Sequence, residues 1–458
     1  MIDPVRPGGA RSLAADTTET FLSRALFFAV SFAASVVITR GLGPQGRGEY
    51  YLPVVAAGTM VALCKVGLEQ ANVYLYGARG VPIGHLSGQN GLVALLLGSL
   101  GVGVLQLAPR LLPRLFADTP PLLLLLAGLT IPFTLHAQFT ATLLTLQGKV
   151  AWQFHAGFLA GLVQLAFLGA LVVGGWLTVG PVLGGNLLAT LLTWILVARG
   201  LQGNRVSWVR WDPPLLRATF RQSLLLHAAM VLLFLHLRLD MFMVKALVGT
   251  AALGQYSLAV VLAETVRLVT DSVAIAILPR QMGNSLEAAA SLGLRGARTN
   301  VVLGWGFAAY AAAGVLVIRS IFGQAFAPAY VPFVLLLPGM MFLSMQRVCG
   351  GAVLRAGTPL RMVAIYACGL GVNIGLNAWL IPLWGPAGAA LSSSLSYGLS
   401  ASLFLIWTAR LARLPSLAGM VPTAEDWLAV WQGTLTGIRS VGRILLAGKR
   451  ALPWLHER

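Results

Sequence analysis

The sequence predicts an all-α, polytopic membrane protein with about 12 transmembrane helices. Hydrophobic residues make up 57% of the 458 residues, and only 10% are charged, whereas soluble domains carry roughly 25% charged residues. Apolar runs of about 20 residues, each long enough to cross the roughly 30 Å hydrocarbon core, recur along the chain. This composition excludes a soluble enzyme, a secreted disulfide scaffold and a single-span receptor.

The apolar runs are predicted to be helices because each is unbroken for 20 residues or more. Strands of a membrane barrel would be about ten residues long with alternating polarity, and in lipid only helices keep such long backbones hydrogen-bonded. In chain order, the predicted spans cover residues 18–39, 50–77, 89–108, 119–146, 151–174, 178–199, 219–245, 252–278, 300–322, 328–354, 359–384 and 386–409.

The distribution of Lys and Arg predicts that both termini are cytoplasmic. With the N-terminus inside, 21 of the 32 basic residues fall in cytoplasmic segments and 6 on the opposite side. Cytoplasmic loops accumulate Lys and Arg, so the net charge of +18 does not require a nucleic-acid partner.

Two sequence echoes predict that the chain contains a parallel repeat. A G-x-Y-x-L motif follows the first span at Gly48 and the seventh span at Gly254, and Gly180-Pro181 and Gly385-Pro386 begin the sixth and twelfth spans. Because each half holds an even number of helices, the repeats are parallel. The predicted organisation is a cytoplasmic tail at 1–17, six-helix bundles at 18–199 and 219–411, a cytoplasmic linker at 200–218 and a cytoplasmic tail at 412–458.

The C-terminal tail has a helical apolar pattern between residues 424 and 447. The apolar positions of this stripe are Leu428, Trp431, Leu435, Ile438, Val441 and Leu445. The pattern predicts an amphipathic helix on the cytoplasmic leaflet, whose anionic lipids attract basic residues. An unstructured tail is the alternative.

Nine charged residues lie in the interior of the predicted spans, at least five residues from either end. Such residues are costly in a bilayer and face the bundle interior or water rather than lipid. The basic ones are Arg24, Lys65, Arg238, Arg267 and Arg347, and the acidic ones are Glu69, Asp240, Glu264 and Asp271.

Spacing predicts ion pairs among some of these residues. Lys65 and Glu69 are at i, i+4 on one helix face, as are Arg267 and Asp271, and Glu264 is three residues before Arg267. Two interpretations stay open. Either these are neutralised pairs that hold helices together, or they line a cavity with mixed charge and a positive surplus.

Arg24 and Arg347 have no acidic neighbour within one helical turn. An unpaired arginine suits an anion site, because its planar guanidinium binds phosphate oxygens bidentately and stays charged when buried. Arg24 lies six residues into the first span, so it either contributes to such a site or snorkels to the cytoplasmic surface.

Several other kinds of site are not expected. No phosphate-binding G-x-x-x-x-G-K-[S/T] motif is present, so we expect neither direct ATP driving nor a cofactor. Cys64, Cys349 and Cys368 form no C-x-x-C pair and predict neither a disulfide nor a metal site. His227 and His236 lie on nearly opposite helix faces; each is either a hydrogen-bonded bundle histidine or a proton site. No nucleophile and base pair indicates an enzyme.

Several stretches resemble a known family. The sequence R-G-L-G-P-Q-G-R-G-E-Y-Y-L at Arg40 to Leu52 resembles the start of bacterial polysaccharide-precursor flippases, of the O-antigen and exopolysaccharide type, in the multidrug/oligosaccharidyl-lipid/polysaccharide exporter superfamily. R-L-D-M-F-M-V from Arg238, L-G-Q-Y-S-L-A-V from Leu253, Leu278-Pro279-Arg280, and the segment from Asn373 to Leu391 are also similar to that family. The resemblance spans about residues 18 to 410.

The resemblance implies two six-helix bundles in a V around a central cavity, in the bacterial cytoplasmic (inner) membrane. It also implies ion-driven alternating access and a lipid-linked sugar as substrate. An undecaprenyl-diphosphate-linked oligosaccharide carries its charge in the pyrophosphate, for which Arg24, Arg267 and Arg347 are the candidate ligands.

The acidic residues are then candidates for ion coupling: Asp240 first, with Glu69 and Asp271, while Lys65, Arg238 and Glu264 are further candidate cavity charges. Expected partners are the lipid bilayer, a polysaccharide polymerase and glycosyltransferases. The alternatives are a cation-coupled small-molecule exporter and a membrane scaffold of a polysaccharide-synthesis complex, because fold does not settle cargo.

Overall fold

A computed structural model shows an all-α chain. It describes residues 13–116, 118–201, 210–414, 421–428 and 430–432, and these residues contain no strand. The predicted tails and linker therefore lie partly outside the described residues. The α-helices are α1 Leu13–Cys64, α2 Leu68–Arg79, α3 Ile83–Leu111, α4 Pro113–Phe116, α5 Pro121–Gly128, α6 Thr130–Leu146, α7 Val150–Val173, α8 Val179–Arg199, α9 Pro213–Leu247, α10 Thr250–Thr265, α11 Arg267–Gly283, α12 Leu286–Gly304, α13 Gly306–Val317, α14 Tyr330–Arg355, α15 Pro359–Trp384 and α16 Pro386–Leu411.

Ten stretches of the described chain are long and apolar enough to cross a membrane. The first of them, Ser23–Arg79, covers most of the predicted span 18–39 and all of 50–77. Another, Leu286–Phe322, covers the predicted span 300–322. The predicted span 252–278 is not among the ten; there the chain forms α10 and α11, with Val266 between them. The all-α, polytopic membrane class is confirmed.

The predicted break after the first span is a sharp kink at Gly43, where two helical segments of α1 meet. Gly43 has φ 65° and ψ −179°, and Pro44 follows it. Proline lacks the backbone N–H that a helix interior requires, and glycine tolerates positive φ. The Gly43-Pro44 pair thus separates two helical segments of α1.

The described chain divides into two compact units. The first is drawn from Met1–Ala259, Leu316–Pro332 and Pro359–Ser392, and the second from Val260–Val315, Phe333–Thr358 and Ser393–Arg458. The two six-helix bundles at 18–199 and 219–411 stay a prediction.

Small and aliphatic side chains form the core of each unit. In the second unit, Ala289, Ala290, Leu294, Ala297, Val348, Cys349 and Ala352 form one buried cluster. In the first unit, one cluster contains Leu75, Leu86, Leu143, Leu144 and Val197. Small residues let membrane helices approach closely, which gains dispersion contacts in an environment where burial from water contributes little.

The two G-x-Y-x-L motifs pack against each other's segments within the first unit. A Cβ atom at Gly48 would overlap the carbonyl group of Thr250, and one at Gly254 would overlap the carbonyl group of Pro44. Only glycine allows backbones to come this close. The motif glycines are therefore required by packing.

Arg47 reinforces the same crossing. The sequence placed it outside the spans, but it is only 2% exposed. Its Nε donates to Ser257 Oγ at 3.0 Å and its Nη1 donates to Thr39 Oγ1. Arg47 thus connects α1 to α10 by side-chain hydrogen bonds.

The tail begins as a helix at residues 424–428 and 430–432. Asp426 accepts hydrogen bonds from Thr423 N–H at 2.8 Å and Thr423 Oγ1 at 2.9 Å, a capping arrangement. Arg298 on α12 pairs with Asp426 at 3.1 Å, and Trp427 contacts Trp305. The rest of the predicted stripe lies outside the described residues, and membrane attachment stays a prediction.

We expect Gly254→Val to lower the thermal unfolding temperature of the purified protein, because the new side chain would overlap the Pro44 carbonyl. Overpacking typically costs about 1–3 kcal/mol. Gly184→Val is the matched control, since no atom lies within 4 Å of a Cβ at Gly184. Equal shifts in the two variants, measured by fluorescence-monitored unfolding in detergent, would contradict the packing argument.

Candidate functional site

Asp271 lies between two arginines in the second unit. Its Oδ1 is 3.2 Å from Arg347 Nε, and its Oδ2 is 3.9 Å from Arg267 Nη2. Arg267 and Asp271 lie one turn apart on α11, as their spacing predicts, and Arg347 comes from α14. Arg347 has no acidic neighbour within one turn of its own helix, but it is not unpaired, because Asp271 on another helix lies beside it. Spacing along one helix does not reveal such a partner.

The cluster of Arg267, Asp271 and Arg347 carries a positive surplus. One carboxylate serves two guanidinium groups, each of which has five N–H donors. The side chain of Asp271 is 11% exposed, whereas that of Arg347 is 52% exposed. Arg347 therefore has donors left to bind a second oxyanion, such as a phosphate, without releasing Asp271.

Hydrogen bonds between buried side chains position this cluster. Thr270 Oγ1, next to Asp271 on α11, is 2.7 Å from Ser344 Oγ on α14. Asn300 Nδ2 on α12 donates to the Ser344 carbonyl oxygen at 3.1 Å. These hydrogen bonds connect α11, α12 and α14 about one turn from Arg347.

Arg24 lies on α1 in the first unit and is half-buried. It forms no ion pair with any other residue that the structure describes. The neighbouring Ser23 is buried, and its hydroxyl is 2.6 Å from His155 Nε2 on α7. The contribution of Arg24 to an anion site stays a prediction.

A cavity of about 490 Å³ lies within the first unit, lined by residues of α1, α2, α5, α6, α8 and α9. Its charged residues are Lys65 and Glu69, which pair at 3.1 Å, and His227 also lines it. The neutral polar side chains on its wall are Gln70, Thr130, Thr134, Gln138, Asn186 and Thr190.

The Lys65–Glu69 pair bridges a break between α1 and α2. The prediction that both lie on one helix face is wrong, because the helix ends at Cys64 and restarts at Leu68. Val66 and Gly67 have positive φ angles of 42° and 75°. The ion pair forms across this turn, at the edge of the cavity.

Two side chains of α9 bind the carbonyl groups that the break exposes. Ser223 Oγ donates to the Val66 carbonyl oxygen at 2.9 Å, and His227 Nε2 lies 3.1 Å from the Leu63 carbonyl oxygen. The last carbonyls of a helix lack intrahelical partners, and non-helical backbone at membrane depth is tolerated where it is buried in protein or lines a cavity. His227 thus serves as a hydrogen-bonded bundle histidine.

Asp240, the first choice for ion coupling, lies outside the cavity wall. It is 1% exposed, and its Oδ2 accepts a hydrogen bond from the Tyr256 hydroxyl at 2.5 Å. The Met241 N–H donates to its Oδ1 at 2.8 Å. Tyr256 is the tyrosine of the second G-x-Y-x-L motif, so this carboxylate links α9 to α10.

The remaining candidates are Arg238 on α9 and Glu264 on α10, both half-buried. The wall residues Gln138, Asn186 and Thr134 were missed at the sequence level. Polar side chains inside strongly apolar spans are the signal that would have found them, since each is costly in lipid without a hydrogen-bond partner. Among the described residues, no group of three or more His, Cys, Asp and Glu side chains is arranged to hold a metal ion.

Solved structures with the same architecture cover nearly all of the chain. The lipid II flippase MurJ in an inward closed conformation aligns with a TM-score of 0.67 and 16% identity, over 95% of this chain and 93% of MurJ. This chain has the fold of MOP-superfamily transporters.

Two further MOP-superfamily structures support that statement. An inward-facing multidrug-resistance MATE transporter aligns with a TM-score of 0.61 and 15% identity, over 88% of this chain and 100% of its own. A MOP-superfamily transporter from Pyrococcus furiosus aligns with a TM-score of 0.61 and 14% identity, over 88% of this chain and 96% of its own. No family model and no curated protein matches the sequence itself.

We expect Asp240→Asn and Tyr256→Phe each to reduce the stability of this MOP-fold protein. A hydrogen bond to a charged group contributes about 1.5–3 kcal/mol. Tyr256→Phe removes this bond, and Asp240→Asn removes the charge that strengthens it. The double variant should therefore lose less stability than the two single losses combined. Strictly additive losses, measured by thermal unfolding of the four proteins, would show that the bond contributes nothing.

Proposed function

We propose that this protein is a transporter of the MOP superfamily, rather than an enzyme, that flips a lipid-linked oligosaccharide of the undecaprenyl-diphosphate type. It does so across the bacterial cytoplasmic membrane, for surface-polysaccharide assembly, by ion-driven alternating access. The observation that carries the proposal is the positively charged cluster of Arg267, Asp271 and Arg347, in which one carboxylate serves two arginines.

A pyrophosphate is the anion that this cluster suits best. It presents several oxygens to planar N–H donors, and arginine binds such oxygens bidentately. The half-exposed Arg347 supplies the donors, while Asp271 keeps both guanidinium groups oriented when no substrate is bound. Arg24 is proposed as a third ligand. The lipid tail of the substrate stays in the bilayer.

The likeness to the lipid II flippase MurJ supports a lipid cargo, because the two chains match over nearly their full lengths. We further propose that the protein is oriented with both termini in the cytoplasm. A polysaccharide polymerase and glycosyltransferases are its proposed partners.

Energy coupling is proposed to use the membrane acids. Glu69 is the first candidate, because it lines a cavity and pairs with Lys65 there. Replacing Lys65 by an incoming cation or proton as the partner of Glu69 would change the charge of that cavity. Asp271 is the second candidate, since it pairs with both arginines of the proposed anion site. Asp240, the first choice from the sequence, becomes the third, because its bond to Tyr256 favours a structural role.

The second candidate function is a cation-coupled small-molecule exporter. The likeness to MATE transporters over 88% of the chain favours it, as does the carboxylate in the cavity. A membrane scaffold for polysaccharide synthesis is the third candidate. Reconstituted protein that moves a lipid-linked oligosaccharide between leaflets supports the flippase; protein that moves only organic cations supports the exporter; protein that moves neither leaves the scaffold.

Replacing the cluster arginines should impair flipping more than folding. We expect Arg347→Ala and Arg267→Ala each to slow the flipping of a fluorescent lipid-linked oligosaccharide in proteoliposomes by roughly tenfold or more, since a hydrogen bond to a charged group contributes about 1.5–3 kcal/mol. Arg347→Lys should restore only part of the rate, because an ammonium group cannot form the bidentate contact.

Arg410→Ala is the matched control for these variants, because Arg410 is exposed in the last turn of α16. Membrane levels of all variants should be equal. Normal flipping by the Arg267→Ala/Arg347→Ala double variant would overturn the anion site and leave the fold assignment untouched.

Glu69→Gln should uncouple transport from the ion gradient. We expect the variant to retain downhill flipping but to lose stimulation when a proton or sodium gradient is imposed across the proteoliposome membrane, because the amide neither takes up a proton nor binds a cation by charge. Glu49→Gln is the matched control, because it makes the same chemical change outside the cavity. Full gradient stimulation in Glu69→Gln would remove Glu69 from the mechanism.

A further inference from the structure

The cavity of the first unit contains hydrogen-bonding groups that its own walls do not satisfy. Gln70, Thr134, Gln138 and Asn186 all line it. Their side chains make no hydrogen bond to the part of the chain that the structure describes, and Gln138 Oε1 is fully buried without a partner. Four polar side chains from three helices therefore present free donors and acceptors to one cavity.

Such an arrangement is costly in an empty apolar setting. A buried amide or hydroxyl without a partner loses the hydrogen bonds that water would give it. The groups are placed where a ligand or water can restore those bonds. Their common direction toward one cavity, from α2, α6 and α8, separates them from polar side chains that are scattered through a bundle.

The charge of the cavity indicates an uncharged ligand. Lys65 Nζ donates to both carboxylate oxygens of Glu69, at 3.1 and 3.3 Å, so the pair has no net charge. His227 is engaged with the Leu63 carbonyl oxygen. An anionic group finds no positive surplus on this wall, and a purely apolar ligand would leave the four polar side chains unsatisfied.

Carbohydrate is the ligand class that fits these features. Sugar hydroxyls donate and accept, as do the side-chain amides of Gln70, Gln138 and Asn186. Met230 and Phe234 on α9 add apolar surface for the C–H faces of a sugar ring. A volume of about 490 Å³ is within the range of roughly 300–1,000 Å³ that is typical of small-molecule sites.

We propose that this cavity binds the glycan of the transported lipid and selects for it, separately from the arginines that bind the pyrophosphate. The inference rests on the proposed flippase function and specifies its substrate recognition. Glycan selectivity is assigned to Gln138, Asn186 and Thr134, and affinity for the anionic lipid to the cluster of Arg267, Asp271 and Arg347.

Binding to two lipids tests this division. The probes are undecaprenyl diphosphate and the glycosylated undecaprenyl diphosphate isolated from membranes of the source bacterium, each titrated into the full-length protein in nanodiscs. The wild-type protein should bind the glycosylated lipid more tightly. We expect Gln138→Leu and Asn186→Leu each to weaken binding of the glycosylated lipid by roughly two- to tenfold, the loss of one neutral hydrogen bond, and to leave binding of the unglycosylated lipid unchanged.

Two variants make the comparison specific. Gln106→Leu is the matched control, because Gln106 lies on α3 outside the cavity wall and should bind both lipids normally. Thr134→Val, which is nearly isosteric, is the second cavity variant should a leucine variant fail to fold. Arg347→Ala should weaken binding of both lipids, because both carry the diphosphate.

The outcomes separate this inference from the proposed function. Two outcomes would overturn the inference while the flippase stands. One is equal affinity of the wild-type protein for the two lipids. The other is unchanged binding in the cavity variants together with weakened binding in Arg347→Ala, which would mean that the cavity holds only water. Wild-type protein that binds neither lipid would overturn the proposed function, and the glycan site with it.

Discussion

The hydrogen bonding of the broken helix between α1 and α2 is the constraint on which the first unit depends. Ending a helix at Cys64 leaves carbonyl groups without intrahelical partners, and inside the protein each of them needs another donor. Ser223 and His227, one turn apart on α9, supply the donors. Because these bonds hold the break open, Lys65 and Glu69 meet across a turn and the cavity has a polar edge. Discontinuous membrane helices accompany binding sites in many transporters for the same reason.

Close backbone contact has a second role. Gly48 and Gly254 bring the segments after the first and seventh spans together so closely that no side chain fits. Arg47 then becomes buried, and its guanidinium reaches Ser257 and Thr39 instead of water. The charge is tolerated because several hydrogen bonds replace its hydration. The repeated glycine, which appears in the sequence as an echo, is thus the physical requirement of a helix crossing.

The charged residues inside the spans divide into two groups with different consequences. Lys65 and Glu69 neutralise each other, which leaves amides and hydroxyls as most of the remaining polar groups of their cavity wall. Arg267, Asp271 and Arg347 do not neutralise each other, and the half-exposed Arg347 keeps donors for an anion. A lipid-linked oligosaccharide combines an anionic pyrophosphate with a neutral glycan, and a carrier for it needs both kinds of surface. This chemical division, rather than the fold, supports the assignment of cargo.

The sequence by itself determined the membrane class, nearly all the spans and the set of charges that avoid lipid. These are properties of single segments, because the free energy of transferring a helix into a bilayer depends on its own composition and length. The i, i+4 pair of Arg267 and Asp271 was predictable for the same reason.

Only the tertiary structure decided which groups meet across helices. It paired Arg347 with Asp271, placed the Tyr256 hydroxyl on Asp240, and buried Arg47. It also placed the break at Val66 beside two side chains of α9 that bind its carbonyl groups. These side chains lie 157 and 164 residues along the chain from the carbonyls that they bind. Periodicity along one helix carries no information about such distances. They follow from how closely the small residues let particular helices pack, and that is a property of the assembled chain.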